Sequence, residues 1–156
     1  MTGANAATAE ARAATSGTAP LVRPQGLDHA NLHVRDVEAS VRFYTEVLGL
    51  GVREVMRRDE AGRATFVELG AGDQTVFLME QRDYRPPVER RERGLNHICL
   101  LVDATDPDRL QADLRARGVA IRGTRAGRNR GGRPTFSVYV EDPDGHGVEL
   151  EQALGE

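Results

Sequence analysis

The sequence predicts an α+β fold in which one βαβββ unit is used twice, and three observations carry that expectation. LDHANLHV at 27–34 is matched by LNHICLLV at 95–102, an offset of 97 − 29 = 68 residues between the two histidines. A helical pattern follows each segment, and three strand-like runs follow each helix. Repetition at this period makes each half a supersecondary unit that needs a partner to cover its sheet face. We therefore expect module one (26–82) and module two (94–152) to form a curved mixed β-sheet cup within a domain spanning 25–153.

In chain order, the first 24 residues are rich in Ala, Thr and Gly and lack apolar periodicity, so they read as a disordered tail. They also lack the basic start and continuous apolar stretch of a secretory signal. In the first helix Asp36 is the expected N-cap, Val37, Val41, Tyr44 and Leu48 form the apolar stripe, and Gly49 sits at the C-cap. Asp106 caps the second, with Pro107 at its first position, Leu110 and Leu114 on its stripe and Gly118 at its end. Strands are expected at 50–56, 64–70 and 75–81, then at 119–123, 135–141 and 147–152, with DPDG (142–145) turning into the last.

Bulk properties limit the function classes. With 39% hydrophobic and 29% charged residues, the 156-residue chain suits a globular domain. A net charge of −3 argues against general nucleic-acid affinity, and no apolar run reaches the length of a bilayer span. A single cysteine, Cys99, fits a reducing cytoplasm. All 21 basic side chains are arginine, which excludes Schiff-base chemistry and a lysine base.

Strand alternation puts His29, Asn31 and His33 on one face, and His97, Cys99 and Leu101 on the matching face of module two. If the halves curl together, both first-strand histidines enter the shared concavity. Glu149, flanked by Val148 and Leu150 in the last strand, is costly to bury without a cation. His29, His97 and Glu149 would together hold one. His33 reads as a rim residue, His146 as exposed, Asn31 as a partner for a substrate oxygen, and Cys99 as a small buried hydrophobe. RGTRAGRNRGGRP (122–134) reads as a glycine-spaced arginine loop, with Arg128 and Arg130 able to clamp a carboxylate or phosphonate.

LDHANLHVRDVEASVRFYTEVLGL, LNHICLLVD and DPDGHGVELEQ, taken together, strongly resemble the vicinal oxygen chelate superfamily over residues 26–152. That family includes glyoxalase I, extradiol dioxygenases, methylmalonyl-CoA epimerase, fosfomycin-modifying enzymes and metal-free bleomycin-binding proteins. The resemblance implies a divalent metal held by His29, His97 and Glu149, and a homodimer in which the two histidines can come from different subunits. It also implies a functional role for Tyr139. The fourth ligand of glyoxalases and epimerases has no counterpart, because aligning GDQTVFLME with DGHGVELEQ sets Phe77 opposite Glu149 and makes Phe77 a substrate-facing wall.

Two histidines, one carboxylate and open positions suggest an Fe(II) oxygenase similar to the extradiol type, acting on a small substrate with vicinal oxygens. The alternative is Lewis-acid chemistry with Mn²⁺, Zn²⁺ or Ni²⁺, such as thiol addition to an epoxide, or isomerisation. A metal-free antibiotic-binding protein is the third class.

Overall fold

A computed structural model describes residues 27–85, 94–103, 106–129 and 131–154; the expected tail and Arg130 lie outside them. Each half folds as βαβββ. Module one contains β1 (His29–Val34), α1 (Val37–Arg42), β2 (Gly51–Arg58), β3 (Ala64–Ala71) and β4 (Gln74–Glu80). Module two contains β5 (Ile98–Leu101), α2 (Pro107–Ala116), β6 (Ile121–Arg128), β7 (Pro134–Glu141) and β8 (Gly147–Ala153). The sheets have equivalent strand orders, β1-β4-β3-β2 and β5-β8-β7-β6, with the first strand parallel to the last and the others antiparallel.

Alternation along β1 explains its two faces: Leu32 and Val34 enter the core, while His29, Asn31 and His33 stay exposed. Val67, Leu69, Val76 and Leu78 continue that core, as do Val138, Val140, Val148 and Leu150 in module two. Both expected N-caps form. Asp36 accepts from the Ala39 amide at 3.1 Å, and Asp106 accepts from Asp108 and Arg109 at 2.9 and 3.2 Å. Gly49 and Gly118 close the helical segments at φ of 79° and 75°, a region that favours glycine.

Two local readings need correction. The first helix becomes a π-helical turn at Phe43–Val47: of the expected stripe Val37 and Tyr44 are buried, Val41 and Leu48 are only partly covered, and Ser40 is buried with them. More consequential is β6, which runs to Arg128 and turns most of the expected arginine loop into strand. As the outer strand of its sheet β6 is largely exposed, so it forms without the apolar alternation used to recognise strands. The loop that remains is a tight hairpin: Asn129 accepts from the Gly131 and Arg133 amides at 3.0 Å, and Arg128 Nη1 donates to Gly132 O at 2.6 Å. Module one repeats it, with Arg63 N donating to Asp59 at 2.9 Å and Arg58 Nη1 to Gly62 O at 2.9 Å.

The modules join where α1 meets the β7–β8 turn. Tyr44 Oη donates to Asp142 at 3.0 Å, Ser40 Oγ to Asp144 at 3.3 Å, and Arg35 Nε to Asp144 at 2.6 Å. Both carboxylates are nearly sealed, Asp142 at 5% and Asp144 at 3% exposure, so these bonds satisfy groups that would otherwise be costly. Burial pushes the Asp142 carboxyl above its usual range, against the opposing pull of His146 and its backbone bonds. His146, expected in solvent, is half-buried: Nε2 donates to His33 O at 2.8 Å and the ring stacks on Tyr84.

Candidate metal and substrate site

On the open face of module two, three expected site residues meet. Pairing sets Cys99 and Tyr139 on either side of Glu149. His97 Nε2 lies 2.8 Å from Glu149 Oε2, and the Tyr139 hydroxyl donates to Glu149 Oε1 at 2.8 Å. The Tyr139 and His97 rings meet edge to face, centroids 5.7 Å apart. Burial, with the Glu149 hydrogen bond and charge, raises the Tyr139 phenol, so it remains a donor at neutral pH. Burial pushes the Cys99 thiol up to about 11, with Glu149 and Glu151 adding to the rise. Although its residue is exposed, that thiol is protonated at neutral pH and makes a poor nucleophile.

His29 stands on module one's equivalent face. Its ring meets Phe77 edge to face at 4.9 Å, and Phe77 packs on Phe66 at 5.2 Å. The register places Asn31 opposite Phe77 as it places Cys99 opposite Glu149, so Phe77 is the positional equivalent of that carboxylate. Glu68 likewise occupies Tyr139's position and accepts from Thr75 Oγ1 at 3.3 Å, beside Arg53. Arg53 crosses Gly70 so closely that an added Cβ would lie 2.6 Å from Nε. His29 and His97 both line a cavity of about 340 Å³ between the two modules. Among the described residues, however, no three His, Cys, Asp or Glu side chains gather to hold a cation within one chain. Asn31 and His33 line a neighbouring cavity with Tyr84 and His146, while Arg128 lies at the rim of a third.

One feature escaped the sequence reading. His29 Nδ1 lies 2.8 Å from Asp28 Oδ2, and His97 Nδ1 lies 2.9 Å from Asn96 Oδ1. Metal-binding histidines characteristically give their second nitrogen to such a partner, leaving the other free to coordinate. The signal was present in the repeat, where LDH and LNH place a short side-chain acceptor before each imidazole. The donor chemistry therefore fits a divalent cation: imidazole Nε2 atoms held by their neighbours, and a carboxylate whose other oxygen is occupied by Tyr139.

Comparison with known proteins agrees with the fold. The model of the Glyoxalase/Bleomycin resistance protein/Dioxygenase superfamily matches residues 26–150. A lactoylglutathione lyase of Salmonella typhimurium is 34% identical over 128 residues, covering 80% of this chain and 90% of that protein. The glutathione transferase FosA of Serratia marcescens is also 34% identical over 128 residues, covering 81% and 79%. The crystal structure of the fosfomycin resistance protein FosX from Mesorhizobium loti superposes with a TM-score of 0.59 at 26% identity, covering 84% of this chain and 94% of that one.

Proposed function

Because the chain belongs to the glyoxalase/bleomycin resistance protein/dioxygenase superfamily, we propose that it is a metal-dependent enzyme of the lyase or transferase type. Its substrate would be a small molecule that offers two neighbouring oxygens to the metal. The observation that carries this reading is the Tyr139–Glu149–His97 chain, with the Nδ1 of each candidate histidine engaged by its neighbour. His97, Glu149 and His29 would hold a divalent ion, which when bound supplies Lewis acidity toward the substrate oxygens. Zn²⁺, Mn²⁺ or Ni²⁺ suits that role, whereas Fe(II) belongs to the oxygenase alternative.

The chain's own groups divide the remaining work. Tyr139 holds a proton at Oη beside the carboxylate and fixes that carboxylate's orientation. Phe77 and Phe66 form an apolar wall against His29 that excludes water, and Asn31 offers an amide on the same face. With the Cys99 thiol protonated, a nucleophile would come from a second substrate. The names of the lyase and the transferase point to a thiol, since both contain glutathione. Two observations weigh against the oxygenase reading: His146 is engaged at the joint between modules, and His33 lines a cavity apart from His97. Neither serves as an acid–base histidine beside the candidate metal.

The ligand set is best completed by a second copy, whose His29 would face His97 and Glu149. Both sheets leave one face open, and Leu27, Leu95 and Leu101 are 74%, 60% and 81% exposed beside it, an apolar surface suited to a partner. To test the function, protein purified without chelators is analysed for metal, and then assayed for thiol consumption with epoxides and α-ketoaldehydes. His97→Ala and Glu149→Gln should each lower metal affinity at least about tenfold and abolish turnover. Oxygen uptake with catechols by the Fe(II)-loaded protein would instead establish the oxygenase reading.

A further inference from the structure

Module two holds its candidate histidine differently from module one. In module one the parallel ladder already includes His29, which stands opposite Thr75, and the Thr75 amide donates to Asp28 O at 3.3 Å. In module two pairing begins one residue later, at Ile98 opposite Val148, so His97 precedes the strand. Extending that register by one step sets His97 opposite Gly147, which makes Gly147 the positional equivalent of Thr75. We propose that Gly147 is a positioning residue for the metal site. Having no side chain, it lets the start of β8 close on Asn96 and His97, and that contact, in place of the ladder, aims the imidazole at Glu149. This deepens the enzyme reading above and rests on it.

Space, and not backbone conformation, is what requires glycine here. Gly147 is not among the glycines with positive φ, whereas nearby Gly145, at 82°, is. A Cβ added at Gly147 would collide with Asn96 O, and would meet His97 Cβ at 3.1 Å and His97 Cα at 3.3 Å. These are backbone and Cβ atoms, which no change of rotamer can remove, so the chain at Asn96 and His97 would itself have to move. Gly123 lies in the same sheet, opposite Tyr139, yet a Cβ added there would have nothing within 4 Å.

Two contacts depend on where that chain lies. Asn96 Oδ1 meets His97 Nδ1 at 2.9 Å, and Glu149 Oε2 meets His97 Nε2 at 2.8 Å. They grip one ring from opposite ends, so a displaced His97 backbone alters both at once. Glu149 would not follow, because it is fixed in the β7–β8 ladder opposite Tyr139 and held by that hydroxyl at 2.8 Å. The imidazole would therefore move against a stationary carboxylate. Module one has no need of such a gap. Thr75 keeps its side chain, whose hydroxyl accepts from Arg53 Nη1 at 2.7 Å and donates to Glu68 at 3.3 Å, and His29 is placed by the ladder.

The test uses the full chain, followed by NMR without metal and then titrated with Zn²⁺. In the unsubstituted protein, nuclear Overhauser effects should connect the Gly147 α-protons to the His97 α- and β-protons. In Gly147→Ala the imidazole nitrogen resonances of His97 should shift while those of His29 stay, and Zn²⁺ affinity should fall at least about tenfold. Gly123→Ala should leave the His97 resonances and the affinity unchanged. Missing Overhauser effects would overturn the assignment, as would a folded Gly147→Ala in which either the His97 resonances or the affinity did not change. So would a Gly147→Ala chain that fails to fold, or one in which His29 and His97 shift alike, since the contact would then serve the whole fold and not one ring. If the unsubstituted chain binds no Zn²⁺, the enzyme reading fails, and the Overhauser effects and His97 resonances still decide this inference. Equal Zn²⁺ binding by the unsubstituted chain and both variants would sink this inference and leave that reading standing.

Discussion

Gln152 is the residue whose placement most departs from what its chemistry favours. It is 1% exposed on the core face of β8, and neither Nε2 nor Oε1 has a hydrogen-bond partner among the described residues. Leaving such groups unmade costs about 1–3 kcal/mol, so Gln152→Leu should raise unfolding free energy by about that amount. Urea denaturation measures it as a higher midpoint at unchanged slope; a lower midpoint would show that the amide has a bonding role. The position was legible in the sequence, since Val148, Leu150 and Gln152 share one parity of the last strand. The missing bonds were not, because alternation gives a face and not a partner. For His97 and Glu149 the face was enough: each has a bonding group beside it, and the pattern that located them also located their contact. Asn31, His33 and Arg128 show the reverse, since a face or a composition could name them without saying which cavity each would line.

Strand pairing makes the difference between modules chemical. Because Phe77 occupies in β4 the place of Glu149 in β8, Phe77→Glu should supply a second carboxylate toward His29 and tighten the binding of a divalent ion about tenfold or more. Isothermal titration with Zn²⁺ checks this, alongside a melting curve that reports the loss of the ring contacts to His29 and Phe66. Unchanged affinity in a folded variant would mean that the first module's last strand does not face the ion. The sequence alignment predicted this register correctly because both strands carry a strong apolar alternation, Val76 and Leu78 against Val148 and Leu150. The same method failed at β6, whose arginines and glycines follow no such pattern. Its extent is set instead by pairing to β7 and by the Asn129 turn, non-local and side-chain causes that a local pattern does not contain. The Asp59 turn was the available clue, since RDEAGR and RNRGGR repeat its spacing.

At the scale of the whole chain, α1 anchors module one to the β7–β8 turn through the buried bonds of Asp142 and Asp144. That joint fixes the modules while leaving both His-bearing faces open. His97 and Glu149 meet inside one chain, and His29 belongs to the other sheet. If two copies pair with two-fold symmetry, each His29 would complete the partner copy's site, and an isologous dimer would contain two such sites. Mixing decides whether this is so. Neither His29→Ala nor His97→Ala alone should bind metal tightly. After the two variants are mixed and allowed to exchange subunits, about half the dimers are hybrid by random association, and each hybrid regains one intact site. Tight binding, and with it turnover, should therefore return to about a quarter of the unsubstituted level. Intrachain sites would give no recovery at any mixing ratio, because every chain would lack one imidazole of its own set.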